Sequence, residues 1–416
     1  MENRYDKYKD SGIAWIGEIP EHWSLVSIGK LFNIYAGGDA KPDYYSDTKD
    51  LEHPFPVYTN TKSEHEIYAY TSKAIFPANT ITVTGRGDVG HAIYRRTPYD
   101  AIIRLLSLIP KNNYDCRFYT YFIDIVIPFM DGKSAVAQLS ALQLKPQFVC
   151  FPSNEEQQSI ATYLDQKCGE IDELITMQEE MITKLQSYKQ SVITEAVTKG
   201  LDKNVPLKDS GIEWIGNTPE HWNKNKIIRL FGIIGSGTTP KSSKEDNYIG
   251  SVNWIQSGDI NGGYIENCKN TISDTALKEY TTLKIYKAPF IIVAMYGASV
   301  GNISISNIDG CVNQACCVMN ETKQNFKYLF YAMNSVKKYL IYKAEGGGQP
   351  NISQDKIKNT WLPIPPLSEQ QSIANYLDQK CSEIDELISI KQQKIEKLKD
   401  YKKSLIFECV TGKRKV

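Results

Sequence analysis

Residues 235 to 242 read GSGTTPKS. A glycine-rich loop of this kind can cradle phosphates with its backbone N–H groups, with Lys241 reaching toward them. The phosphate loop of nucleotide-binding enzymes needs a glycine directly before that lysine, and Pro240 stands there instead. A second group, Asp43, Asp47 and Lys49, resembles the acidic signature of a metal-dependent nuclease. Its spacing leaves no room for the strand turn that such a signature contains. Cys311, Cys316 and Cys317 have the look of a metal cluster, yet no histidine lies near them in an apolar, strand-like run. Small buried thiols are the expectation. The chain has no paired-histidine metal motif and no N-P-P-[FY] element of an amino-methyltransferase. No catalytic centre is expected.

What remains is polar loop chemistry. GGDAKPDYYS (37 to 46), PVYTNTK (56 to 62), GSGTTPKSSK (235 to 244), IQSGDINGGYI (255 to 265) and GGGQPNIS (346 to 353) are rich in Gly, Thr, Ser, Asn, Lys and Tyr. Lysine and hydroxyl side chains suit phosphates; Asn, Gln and Arg suit base edges. One at a time, most of these are ordinary turn residues.

The elements that must position such loops are duplicated. QQSIATYLDQKC (157 to 168) returns as QQSIANYLDQKC (370 to 381), and the match runs on to Thr198 and Thr411. KDSGIAWIGEIPEHW (9 to 23) returns as KDSGIEWIGNTPEHW (208 to 222). Between these repeats lie two variable blocks, 24 to 150 and 223 to 363, with α/β patterning. They share a plan: ITVTGRGDVGHAIYR matches IIVAMYGASVGNISI as strand, glycine loop and strand. FYTYFIDIV (118 to 126) and FKYLFYAMNSV (326 to 336) read as aromatic-rich helices. AIIRLLSLI reads as a strand. The blocks are diverged copies of one fold.

The longer repeat predicts a continuous helix. No proline interrupts residues 156 to 198. Leu164, Ile171, Leu185 and Val192 fall on one heptad position with Gln178 as its polar member. Ile160, Leu174, Met181 and Tyr188 fall on an adjacent one, and Ile175 and Ile182 widen the stripe. The second copy gives Leu377, Ile384, Leu398 and Leu405 with Lys391 as the polar member, and Ile373, Leu387 and Tyr401. Such heptads read as a coiled-coil seam. The expected helix-pair core is Leu164, Ile171, Leu174, Leu185, Leu377, Ile384, Leu387 and Leu398. The first copy is acidic, with 5 basic and 10 acidic residues over 151 to 206; the second, over 367 to 416, has 10 and 8. Two rods of opposite charge most simply pack on each other, antiparallel if the duplication is a pseudo-twofold. The alternative is that each rod buries its stripe on its own domain. Asn154 and Ser368 stand near the expected N-caps, with acids in the first turn.

The shorter repeat holds Trp15, Trp23, Trp214 and Trp222 beside His22 and His221. A duplicated packing clamp accounts for this without a ligand.

Over 416 residues, an apolar content of 41% and a charged content of 23% are ordinary for a soluble multidomain protein. Lys+Arg and Asp+Glu are both 48, so bulk charge does not mark a chain that grips nucleic acid alone. No apolar run is long enough to span a bilayer, and MENRYDKYKD does not read as a signal peptide. Nine scattered cysteines without a C-x-x-C pair suit reduced thiols and a cytoplasmic setting.

The order of variable domain, repeated helix, variable domain and repeated helix resembles the specificity subunit of type I restriction–modification systems. LPIPPLSEQQSIANYLDQKCSEIDELI (362 to 388), its first copy, GSGTTP (235 to 240) and the paired P-E-H-W segments carry the resemblance. FPSNEEQ in the first copy departs from the usual P-L-P-P-x-x-E-Q pattern. The resemblance implies an α/β (α+β) fold: two target recognition domains joined by two long antiparallel helices in a coiled coil, a pseudo-twofold internal duplication. The implied boundaries are 1–151 and 201–364 for the domains, and 152–200 and 365–416 for the helices. It implies a non-catalytic chain in which each domain reads half of a split double-stranded DNA target. The helices would set the spacing and dock two methyltransferase subunits, and through them two restriction/translocase subunits. No cofactor is expected in this chain; S-adenosylmethionine, Mg²⁺ and ATP would belong to those partners. The expected DNA contacts are Lys41, Tyr58, Asn60 and Arg86 in the first domain, and Thr238, Lys241, Gln256, Tyr296 and Gln349 in the second. A duplicated scaffold that reads no DNA is the competing expectation, and a metal-dependent nuclease a weaker one.

Overall fold

The fold is described from a computed structural model over residues 4–63, 65–129, 138–342 and 351–416. The chain divides into two compact units, residues 1–179 with 392–416, and residues 180–391. Among the described residues, four helices of eleven residues or more organise them: α1 (Cys116–Val126), α2 (Asn154–Lys199), α3 (Phe326–Tyr342) and α4 (Leu367–Val410). Each long helix gives its start to one unit and its end to the other.

In the first unit an antiparallel sheet has the order Phe32–Ala36, Leu106–Pro110, Thr80–Val83, Ala92–Arg95. A second sheet runs Asp100–Ala101, Phe55–Tyr58, Ala69–Thr71, Tyr45–Ser46, with its first pair parallel. The second unit repeats the plan. Its larger sheet runs Ile233–Ser236, Cys316–Asn320, Phe290–Ala294, Ile303–Ser306, Tyr264–Ile265. Its smaller sheet again holds a parallel pair, Val252–Ile255 with Cys311–Val312. The expected strand AIIRLLSLI is two strands, Asp100–Ala101 and Leu106–Pro110, separated by a turn closed by Leu105 N–H to the Ile102 carbonyl at 3.1 Å.

The repeated dozen residues dock each rod on its own aromatic helix. Ile160, Ala161, Leu164, Cys168 and Ile171 of α2 share one core with Phe118, Tyr119, Phe122 and Ile123 of α1 and with Leu405, Ile406, Cys409 and Val410 of α4. In the second unit Ile373, Ala374, Leu377 and Cys381 join Tyr328, Leu329, Ala332 and Met333 of α3 and Val192, Ile193, Ala196 and Val197 of α2. The polar members of the dozen are used the same way. The Gln157 side chain accepts from Asp115 N–H at 3.2 Å and donates to the Pro152 carbonyl at 3.0 Å. Gln370 accepts from Asn325 N–H at 2.8 Å and donates to the Pro365 carbonyl at 2.8 Å. Asp165 takes the Tyr121 hydroxyl at 2.8 Å and Asp378 the Tyr331 hydroxyl at 2.7 Å. Both expectations for the rods therefore hold in part: each start packs on its own domain and, in the same core, against the end of the other rod, running antiparallel.

The seam has a different phase from the expected one. Leu164, Ile171, Leu377 and Ile384 are buried, Leu185 and Leu398 partly so. Leu174 and Leu387 are 41% and 46% exposed and lie outside it. The inward second row is Cys168, Ile175, Ile182, Lys189 and Ala196 on α2, and Cys381, Ile388, Ile395, Lys402 and Cys409 on α4. Leu174, Met181 and Tyr188 sit one residue before it and face outward. Two lysines fit the inward row because each meets a carboxylate across the pair: Lys402 to Asp172 and Lys189 to Asp385, both at 2.6 Å. Gln178 is buried in the seam, as its polar member.

The start of α2 is capped by Ser153: Glu156 N–H donates to Ser153 Oγ at 3.2 Å, and Ser153 N–H to Glu156 Oε2 at 3.1 Å. This reciprocal box places the cap one residue before Asn154. The P-E-H-W segments close on the same acids. Trp23 Nε1 donates to Glu156 at 3.1 Å and His22 Nε2 lies 2.9 Å from it. Trp222 and His221 make the matching contacts to Glu369 at 2.9 and 2.7 Å. The shorter repeat is thus a clamp on the helix starts. All nine cysteines are free, and Cys311, Cys316 and Cys317 are buried; burial pushes the Cys311 thiol up to about 11 and Cys317 up to about 12.

Candidate nucleic-acid interface

In each unit the polar loops leave the two sheets beside a tight backbone crossing. Gly37 passes so close to the strand Asp100–Ala101 that a Cβ there would lie 2.6 Å from the Ala101 carbonyl oxygen. Gly237, at the matching place, would put a Cβ 1.6 Å from the Val312 oxygen. The glycines of GGDAKP and GSGTTP are therefore crossing residues, which explains the phosphate-loop look of the second.

Next to each crossing stands a glycine hairpin between two strands of the large sheet. In the first unit it is closed by Thr84 N–H to His91 O and Gly90 N–H to Thr84 O, both 2.9 Å. In the second, Ala294 N–H bonds Asn302 O at 2.9 Å and Gly301 N–H bonds Ala294 O at 2.8 Å. His91 and Asn302 occupy the same position and do the same work. His91 Nε2 meets the Lys62 carbonyl at 2.9 Å and its Nδ1 meets Asp124 of α1 at 2.6 Å. Asn302 donates to the Ile260 carbonyl at 3.0 Å and accepts from Lys337 of α3 at 2.7 Å. Each ties a hairpin, a neighbouring loop and the aromatic helix together.

The hydrogen bond to Asp124 raises the His91 pKa, against the opposing effect of burial. A raised pKa in the folded state means the pair's stabilisation is complete below the ordinary histidine value of about 6.5 and fades as pH climbs through the raised one. The stability difference between the native chain and Asp124→Asn is expected to shrink as pH rises from about 6 to about 8. Urea melts across that range read it; a difference that is flat or grows contradicts the pairing.

The expected DNA-contact residues fall into three groups. Lys41 and Arg86 are exposed on the loops, as is Lys241, whose backbone N–H bonds the Tyr280 hydroxyl at 3.1 Å. Thr238, Gln256 and Tyr296 are partly exposed. The Gln256 backbone N–H is capped by Asp259 at 2.8 Å, holding that turn in shape. Tyr58 is buried instead, and Asn60, though partly exposed, spends its amide on neighbouring backbone. Tyr58 is 8% exposed, with the Arg95 guanidinium 3.6 Å from its ring centre. Asn60 Oδ1 accepts from the N–H groups of Gly85 at 2.7 Å and Arg86 at 3.2 Å, and its Nδ2 donates to Ile103 O at 2.7 Å. It braces loops from beneath. Gln349 lies outside the described residues.

Sequence reasoning passed over three residues at the same edge. Gln314 is exposed and accepts a hydrogen bond from Thr239. Its counterpart turn in the first unit carries Ile103 and Arg104, both exposed. A single arginine inside the apolar run AIIRLLSLI was the available signal. Asp43, Asp47 and Lys49 are all exposed. Among the described residues no three His, Cys, Asp or Glu side chains gather to hold a metal ion. Nor is any described helix long and apolar enough to cross a membrane.

Comparison with known proteins agrees with this architecture. The profile of the type I restriction modification DNA specificity domain matches twice, over residues 20–184 and 219–400. The putative type I restriction enzyme MjaX specificity subunit of Methanocaldococcus jannaschii is 28% identical over 430 residues, covering 96% of each chain. The EcoBI specificity subunit of Escherichia coli is 22% identical over 431 residues, covering 97% of this chain and 88% of that one. A solved chain from a study of complex assembly and conformational transition of the type I R-M system superposes with a TM-score of 0.70 at 13% identity, covering 94% of this chain and 98% of that one. Two matched domains, two repeated rods and two loop clusters on one strand plan place the chain in the type I restriction–modification specificity family, a family of DNA-recognising, non-catalytic subunits.

Proposed function

We propose that each unit reads one half of a split double-stranded DNA target, in the cytoplasm, as part of a larger restriction–modification assembly. One observation carries this reading: the two units hold different side chains on the same loop framework. Arg86, Ile103 and Arg104 stand in the first where Tyr296, Gln314 and Ala315 stand in the second, while the rod starts beneath bury the same residues, Ile160, Ala161, Leu164 and Cys168 in one and Ile373, Ala374, Leu377 and Cys381 in the other. Divergence at the rim with identity below is what two readers of different sequences need.

The rods would act as the ruler between half-sites. A helix of 46 residues is about 69 Å long, enough to hold readers the roughly 34 Å of one DNA turn apart. The outward apolar residues of α2, Leu174, Met177, Met181 and Tyr188, give protein partners something to bury. Two methyltransferase subunits would dock on the repeated rods, and two restriction/translocase subunits through them. S-adenosylmethionine, Mg²⁺ and ATP would be bound by those subunits, and shared phosphate contacts would suit the zero net charge here.

Methylome mapping by single-molecule sequencing tests the reading, in cells expressing this chain with its methyltransferase subunit. A split motif is expected whose halves change independently when residues 24–150 or 223–363 are exchanged for those of a relative. An assembled complex that methylates no split motif would leave the scaffold alternative in place.

A further inference from the structure

The turn at Ile103 and Arg104 is strained where strain is not needed to build the fold. Both residues have left-handed backbones, with φ of 52° and 61°. Two consecutive positive φ values suit Asn-Gly or Gly-Gly, and a β-branched residue there is an outlier. The second unit makes the same closure, Cys316 N–H to Asn313 O at 3.2 Å, with Gln314 and Ala315 outside the positive-φ region. The strand plan therefore tolerates a relaxed turn at this place.

The first unit holds its strained version from every side. Ile103 N–H bonds Gly38 O at 2.8 Å and Arg104 N–H bonds Gly37 O at 3.3 Å. Asn60 fixes the Ile103 carbonyl, and Gly85 packs so close that a Cβ there would lie 2.8 Å from Arg104 O. With both N–H groups and the Ile103 carbonyl occupied, the two side chains are left outside. Ile103 is 42% exposed, and Arg104 is exposed with no ion pair among the described residues. Asn60 also fixes the backbone of Arg86, so one amide sets both arginine-bearing loops. Backbone strain held this firmly marks sites where side-chain placement matters more than local stability.

We propose that the Ile103–Arg104 turn is the base-reading tip of the first unit. Arg104 donates to O6 and N7 of a guanine in the major groove, and Ile103 packs on the apolar edge of a neighbouring base, a thymine methyl by its chemistry. This rests on the first unit being a half-site reader, as argued above.

The test uses the assembled methyltransferase complex and a panel of duplexes varied at each position of the first half-site. Arg104→Ala is expected to relax discrimination at one guanine by roughly tenfold or more, leaving the second half-site unchanged. The double substitution Ile103→Asn with Arg104→Gly installs residues that favour this backbone. It is expected to keep assembly, melt at the same or a higher temperature, and lose the same discrimination. An unchanged first half-site in either variant overturns the proposal. So does equal weakening on all duplexes with a shallower salt dependence, which marks a phosphate contact. A lower melting temperature in the double variant also overturns it, by making the turn structural. A native complex that discriminates no duplex at all would instead remove the half-site reading, and this proposal with it.

Discussion

Trp222→Ala is expected to destabilise the second unit by about 3–5 kcal/mol, the range for emptying a buried aromatic site. Trp222 is 1% exposed. Its ring lies against Gly200, just past the end of α2, where an added Cβ would be 3.2 Å from the indole. Its Nε1 donates to Glu369 in the first turn of α4 at 2.9 Å. One side chain thus joins the end of one rod to the start of the other, and alanine leaves a void at that joint and a carboxylate short of a donor. Trp222→Phe keeps much of the volume and loses the N–H, so a smaller loss, about 1–3 kcal/mol, is expected from it. Trp23→Ala in the first unit should behave like Trp222→Ala, since Trp23 is 0% exposed and bonds Glu156 in the same way. Urea unfolding followed by circular dichroism measures all three. A loss under about 1 kcal/mol for both alanine variants would mean that the P-E-H-W segments are surface decoration rather than clamps.

The duplication was legible because its residues are used twice for the same contacts. Gln157 and Gln370, Asp165 and Asp378, and Glu156 and Glu369 each meet equivalent partners, so divergence at any of them would have broken one unit. The rods themselves were legible from heptads, but the phase of the seam was not. Leu174, Met181 and Tyr188 have the spacing of a seam and face outward. Lys189 and Lys402 look like solvent residues and sit in the inward row, because the carboxylates that satisfy them lie 196 and 230 positions away in the chain. Hydrophobicity alone cannot see a partner that distant. The loops were legible as a surface, and individual residues in them were not. Asn60 has the side chain of a base reader, yet its three polar contacts go to neighbouring backbone. Whether an amide faces a base or a loop depends on the backbone around it, which no local pattern states. Arg104 was hidden for the opposite reason: its apolar neighbours suggested an unbroken strand, and the turn arises from pairing on both sides of it.

Gly237→Ala is expected to damage the second unit more than any other glycine-to-alanine change among its described residues. A Cβ at this position would fall 1.6 Å from the Val312 carbonyl oxygen and 2.5 Å from its carbon, both backbone atoms in a strand. No rotamer change relieves that overlap; the strand Ile233–Ser236 or the strand Cys311–Val312, paired with Val252–Ile255, must shift. The cost should exceed the roughly 1–3 kcal/mol usual for over-packing, where flexible side chains absorb the insult. The displaced backbone also carries Thr238 and Thr239, and Thr239 bonds Gln314, so the second loop cluster moves with it. Methylation by the assembled complex should lose discrimination in one half-site and keep it in the other. Gly37→Ala, at 2.6 Å from Ala101 O, should show a milder form of the same loss in the opposite half. Gly258→Ala supplies the contrast: nothing lies within 4 Å of its Cβ position, and its backbone needs no positive φ. If Gly237→Ala melts where Gly258→Ala does, the two strands do not cross as closely as described. The loop clusters would then lack the fixed base on which half-site reading depends.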